Sequence, residues 1–222
     1  MPRTPEEQRQ LWEKLKEMEA IDDATLMDSL DETQPMEFEP SSSVERMESQ
    51  IIPATAKDDR GLAIGLQNSM KYKKHFDASE AASELPPGIL IAIATIESNG
   101  DPAAIGPETT SGQAKGLMQF MPATAGDYEL VVDAERNIDE RLDPIKSIYA
   151  AGKMLRASLI RSDGDIGQAL IQYNWGAGNW DKWKKKEKGY ESIPAETAAY
   201  IGRFRSALNQ YQRMSDTEQV AR

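Results

Sequence analysis

The chain has 222 residues, 39% of them apolar and 28% charged, enough for one well-packed domain with a sizeable appendage. Its formal net charge of −11 speaks against nonspecific nucleic-acid binding, which needs a basic face, and against adhesion to anionic membranes. With no cysteine and a single histidine, His75, the chain has no parts for disulfides, thiolate metal sites or multi-histidine metal sites. It also gives a Ser-His-Asp triad no support, and no metal or cofactor is called for.

In chain order, residues 5–20 read as a short helix with Leu11, Leu15 and Met18 on one stripe, Thr4 as N-cap and Pro5 at its first position. It is either a docking element or a frayed tail. Residues 22–59 turn acidic, contain Ser and Pro, and are poor in large apolar side chains. Such a segment buries too little surface to offset its ordering entropy and reads as a linker, or as a stretch that orders on a partner. The N-terminal residues lack the apolar core of a secretory signal, and the longest apolar run, around Ile89 to Ile96, is too short to cross a bilayer. The expectation is a protein made in a cytoplasm with no Sec address and no membrane insertion.

From Gly61 onward helix follows helix. One is predicted over 62–83, one over 87–97, and a short one from Pro122. Asp143 and Pro144 supply an N-cap and first position for a helix to about Arg161, and Asp165 caps another through Tyr173. The last helix starts near Pro194 or Ala195, with Ile201, Phe204, Leu208 and Tyr211 at helical spacing. No stretch alternates with period 2 for long, so the class is mainly α, with little or no sheet. The organisation expected is a docking helix and linker over 1–60, a catalytic domain over 61–213 and a tail over 214–222.

Four blocks carry chemistry. The first, 85–106, is a helix apolar nearly all round that brings Glu97 to its C-terminal end, with Gly100 as a stop. An apolar surround and the negative end of the helix dipole both favour the protonated carboxyl, as a general acid requires. The second, 111–125, sets the amide Gln119 among the apolar Leu117, Met118, Phe120 and Met121. In the third, 169–183, a helix ends at Tyr173 and Asn174, followed by Gly176 and Gly178. The fourth, 193–204, opens the final helix with Glu196, Thr197 and Tyr200.

In this order and at these separations the blocks resemble the lytic transglycosylases of the goose-type-lysozyme-like group. The matching residues are Glu97-Ser98, Gly116 to Gln119, Tyr173-Asn174 with Gly176, and Pro194 with Glu196-Thr197 and Tyr200. The resemblance covers about residues 72–212 and implies a lysozyme-like helical domain behind an extended, partly disordered N-terminal region. It implies Glu97 as catalytic acid and then base, and Ser98, Met118, Gln119, Tyr173, Asn174, Glu196 and Tyr200 as substrate-binding residues along a glycan groove. Core packing is a close alternative for Met118, and capping or packing is favoured for Thr197. The sequence departs from the pattern at Gln172, where a small residue is usual, and in the long loop before Gly116. That loop leaves the substrate-side serine open between Ser98 and Ser111. Trp175, Trp180 and Trp183 could stack on sugars, but a core or rim place is expected for at least two of them. The run 182–188 is expected to be a solvated basic face.

The blocks contain no evident second acid, whereas glycosidases commonly use two carboxylates. The resemblance supplies a solution: the 6-hydroxyl of muramic acid attacks and leaves a 1,6-anhydro ring. Its implied substrate is the peptidoglycan glycan strand. A hydrolytic muramidase, with Asp101, Glu108 or Asp127 holding a water, and a structural virion component with little activity stay open beside it. A phage particle that opens the wall during genome entry is the favoured setting, with residues 1–60 binding other virion proteins. A secretion apparatus and an endolysin are the alternatives.

Overall fold

The run Ile89 to Ala94 cannot face water on any side, and in a computed structural model of the chain it does not: each of these residues is 0–1% exposed. Burying one such large side chain contributes about 1.5–3 kcal/mol, so this helix is what the rest of the fold packs around. The structure describes residues 59–186 and 189–220, all within one compact unit. The expected docking helix and linker over 1–60 lie almost wholly outside the described residues.

Helix α1 (Asp59–Ser69) leads through a 3₁₀ turn (Met70–Tyr72) into α2 (Lys73–Ala82), so the single helix expected over 62–83 is in fact two. The buried helix α3 (Ile89–Ser98) follows. Its N-terminal amides are satisfied from α2: Gly88 N–H and Leu90 N–H donate to the two carboxylate oxygens of Glu80 at 2.8 and 2.7 Å. A carboxylate there meets the orphan donors and positive dipole end of a helix, and its own burial drives its pKa up to about 7. At the other end, Asn99 (φ 56°) and Gly100 (φ 72°) turn the chain left-handed, where a stop at Gly100 was expected.

Next come α4 (Pro122–Asp127), a two-residue antiparallel pairing of β1 (Val132–Asp133) with β2 (Ile138–Asp139), and a 3₁₀ turn (Glu140–Leu142). Helix α5 (Pro144–Arg161) is capped by Asp143, which accepts from Ile145 and Lys146 N–H, and α6 (Ile166–Trp175) by Asp165, which accepts from Gln168 N–H, both as predicted. Helix α7 (Ala177–Lys185) was not foreseen. Two glycines stand around its start, yet Trp180 and Trp183 fall on one helix face and are 3% and 8% exposed. Burial of the two indoles outweighs the glycine cost. Helix α8 (Ala195–Val220) continues through most of the segment expected to be a tail.

The packing places α3 between α1 and α8, with α2 and α5 also against it, while α6 joins α5, α7 and α8. The two ends of the central helix therefore have different surroundings. The Glu80 end is closed; the Glu97 end opens on a groove.

Candidate active site

Glu97 is the next-to-last residue of α3, and part of its surface opens on the groove while the protein encloses the rest. Burial pushes its carboxyl up to about 7; the Tyr200 hydroxyl and the charge of Arg203 pull in the opposite direction and lose. Desolvation is thus the leading cause, as the apolar helix implied. A carboxyl poised near neutrality is protonated often enough to give a proton and basic enough to take one back.

Tyr200 reaches Glu97 from α8, the helix most extensively packed on α3. Its hydroxyl donates to Glu97 Oε1 at 2.8 Å, and the residue is 1% exposed. Tyr173, from the last turn of α6, donates its hydroxyl to the carbonyl of Met118 at 3.0 Å. Burial and the nearby Glu97 charge raise both phenols well above their usual range, so both stay protonated donors.

The segment Gly116 to Phe120 forms the facing wall. Gln119 sits at φ 50°, and its amide nitrogen donates to Gly116 O at 2.8 Å and Ala104 O at 3.2 Å. Its donors are thus spent on shaping the turn, and its carbonyl oxygen remains as an acceptor. Met118 is fully buried; it borders the groove, but its main contribution is core packing and the carbonyl that anchors Tyr173. Ser98 is also buried, and its hydroxyl lies 2.8 Å from Leu117 O and 3.1 Å from Ala94 O. It ties the end of α3 to the facing turn. Ser111 is exposed in the preceding loop and does not border the groove.

The sequence reading missed what holds this wall. Arg141, 3% exposed, donates to both oxygens of Asp139 (2.8 and 2.7 Å) and to the carbonyls of Gln113 (2.7 Å) and Phe120 (3.2 Å). Its guanidinium ties the two ends of the loop to the β1–β2 hairpin and holds the Asp139 carboxyl below its usual range, with help from Lys115. Gly116 (φ 81°) lies so close that a Cβ there would be 1.7 Å from Arg141 O. Only glycine fits.

The groove beside these residues encloses about 390 Å³, within the range of small-ligand clefts, and Asn174 and Glu196 border it with Tyr173, Gln119, Tyr200 and Glu97. A second, shallower depression continues past Glu97 along Asn99, Ile105 and Pro107. Glu97 therefore stands between two halves of one cleft. Of the expected site residues only Ser98 is withdrawn from the first half, and Glu196 is exposed on its rim. Arg203 borders both halves and was not anticipated. It lies seven residues beyond Glu196 and three beyond Tyr200, a spacing that puts all three on one face of α8; that periodicity could have found it. Trp180 and Trp183 are core, and Trp175 packs partly buried against it. Gln172 is buried and donates to Ser158 O at 3.0 Å, bridging α6 to α5, which accounts for a large polar residue at that position. Among the described residues there is no cluster of three or more His, Cys, Asp or Glu that could hold a metal ion, and no helix is long and apolar enough to cross a membrane.

A half-buried glutamic acid held by a tyrosine in a cleft, on a mainly helical frame, is a site built for acid–base chemistry on a bound ligand. The chain belongs to the transglycosylase SLT domain family, matched over residues 74–195. It is 32% identical over 126 residues to a transglycosylase of Enterobacteria phage PRD1, covering 56% of this chain and 42% of the relative. It is likewise 32% identical over 120 residues to the membrane-bound lytic murein transglycosylase D of Escherichia coli K12, covering 50% of this chain and 25% of that one. The 70 kDa soluble lytic transglycosylase SLT70 of Escherichia coli superposes with a TM-score of 0.54 at 25% identity, over 65% of this chain and 24% of that chain. The mainly α, lysozyme-like domain expected from the sequence is borne out. The chain spans less than half the length of the curated relatives it matches.

Proposed function

We propose that the chain is a peptidoglycan lytic transglycosylase that cleaves the MurNAc-β-1,4-GlcNAc bond and leaves a 1,6-anhydro-muramoyl end. The observation that carries this reading is the lone poised carboxyl in the cleft. Asp101, Glu108 and Asp127 do not border it, and among the described residues Glu196, exposed on the rim, is the one other acid that does. A hydrolytic outcome needs a second carboxylate to direct a water across the sugar; an internal nucleophile does not.

In the proposed cycle Glu97 gives its proton to the glycosidic oxygen as the C1–O bond breaks. Tyr200 then holds the carboxylate that remains. That carboxylate takes the proton of the 6-hydroxyl as O6 closes on C1, which returns Glu97 to its starting state. Orientation of an attached nucleophile is worth several kcal/mol, so the groove needs only to hold the ring. Tyr173, Asn174, the Gln119 carbonyl oxygen and Glu196 are placed to do that.

The similarity to a phage transglycosylase supports a role in a phage particle that opens the wall for genome entry, with residues 1–60 docking to other virion proteins. Mass spectrometry of digested sacculi tests the reaction: anhydro ends are expected, and products one water heavier would replace this reading with a hydrolytic muramidase. Glu97→Gln is expected to abolish turnover with the fold intact. Proteomics of purified particles tests the setting, and absence of the chain from virions would leave the endolysin reading.

A further inference from the structure

Among the described residues the cleft wall carries a single cation. Among the described residues that border either half, Arg203 is the one lysine or arginine, and it borders both halves beside Glu97. Its side chain is exposed on α8, one turn beyond Tyr200 and two beyond Glu196, and it belongs to no ion pair among the described residues. Its charge favours the ionised form of Glu97, opposing the burial that keeps this acid protonated. Exposed at the cleft and outside every ion pair among the described residues, the guanidinium is placed to meet an anionic group of a bound ligand.

We propose that Arg203 binds a carboxylate on the 3-O-lactyl branch of the muramic acid beside the cleaved bond. This rests on the reading of the groove as glycan-cleaving. A planar guanidinium matches a carboxylate in two parallel hydrogen bonds, and among the described residues no other cation borders the cleft. The charges on α8 also orient the branch. Glu196 borders only the first half of the cleft and lies about 10 Å along the helix from Arg203; it repels the branch toward the end where Arg203 stands. Two sources carry this chemistry: the free lactyl carboxylate of strands stripped of peptide, and the carboxylates of a stem peptide still attached.

The test uses the full chain as wild type, Arg203→Gln and Arg203→Lys at pH 5, where Glu97 is protonated in all three. Substrates are peptide-bearing strands and amidase-stripped strands, with neutral N-acetylglucosamine oligomers as competitive inhibitors. Arg203→Gln is expected to raise KM about tenfold on at least one anionic strand, a value reduced for solvent screening, and added salt should shrink the difference. Arg203→Lys should recover part of the loss, and inhibition by the neutral oligomers should change less than twofold. The strand that shows the loss identifies the source of the carboxylate. An unchanged KM on both strands, or an equal loss for the neutral oligomers, overturns the inference while the proposed function stands. Wild type that cleaves neither strand overturns the proposed function itself, and the inference with it.

Discussion

Replacing Tyr200 with phenylalanine removes one oxygen from a fully packed position and leaves the ring where it is. The hydroxyl donates to Glu97 Oε1 at 2.8 Å where the cleft meets the core, and a phenylalanine ring brings no donor of its own to that oxygen. A hydrogen bond to a charged acceptor contributes about 1.5–3 kcal/mol and one to a neutral acceptor about 1. The hydroxyl therefore favours carboxylate over carboxylic acid by about 1 kcal/mol, or roughly 0.7 pH unit. Glu97 starts near 7. In Tyr200→Phe its pKa rises further, and because the protonated form begins the reaction, the alkaline limb of kcat/KM moves to higher pH by that amount. The plateau at acid pH falls about tenfold, since the carboxyl loses the partner that aims it. The assay is release of soluble fragments from purified sacculi between pH 5 and 9, with a ¹³C-carboxyl titration of Glu97 alongside. A limb that moves to lower pH, or a plateau that falls with the limb unmoved, would refute the claim that Tyr200 holds the ionised form.

Three further perturbations test the frame. Glu97 has a folded pKa near 7 and an unfolded one near 4.5; its protonated form is therefore the one the fold accommodates. The stability this provides is full below pH 4.5 and is lost as pH rises through 7. Glu97→Gln should then match wild type in unfolding free energy at pH 4 and exceed it at pH 8 by up to about 3 kcal/mol; equal stability at both pH values would show that burial does not shift this group. Arg141→Met takes the guanidinium away from Asp139 and from the carbonyls of Gln113 and Phe120, leaving Lys115 as the partner of Asp139 and of Phe120 O, and should cost about 2 kcal/mol in urea unfolding, with a parallel loss of turnover as the Gln119 turn loosens. A cost under 1 kcal/mol would mean the loop is held by something else. Gly116→Ala places a methyl group on the Arg141 carbonyl at a left-handed backbone position, and a loss of about 3 kcal/mol is expected from the clash and the strain together.

Local signals were enough for most of the helices and for the central one in particular. Asp143 and Asp165 cap because their short carboxylates reach amides two or three residues on, a contact that needs nothing beyond the local chain. The run Ile89 to Ala94 had to be buried whatever packed on it, and Glu97, one turn later, had to share that burial at least in part. Tyr173, Gln119 and Tyr200 were legible only together, as blocks resembling a family, since no single one of them is distinctive.

What the linear chain did not carry was contact between distant residues. Helix α7 depends on two indoles finding a core, which outweighs the helix cost of the two glycines at its start. The tie between Ser98 and the facing turn exists only because the fold brings Leu117 O within 2.8 Å of its hydroxyl. Arg141 is an ordinary charged residue in a polar loop by sequence; it is buried because the carbonyls of Gln113 and Phe120 converge on it. The same holds for the feature that matters most to the chemistry. A carboxyl at the end of a buried helix is written in the order of the residues. Which phenol holds it and which cation shares its cleft depend on how α8 crosses α3, and no local propensity encodes a crossing.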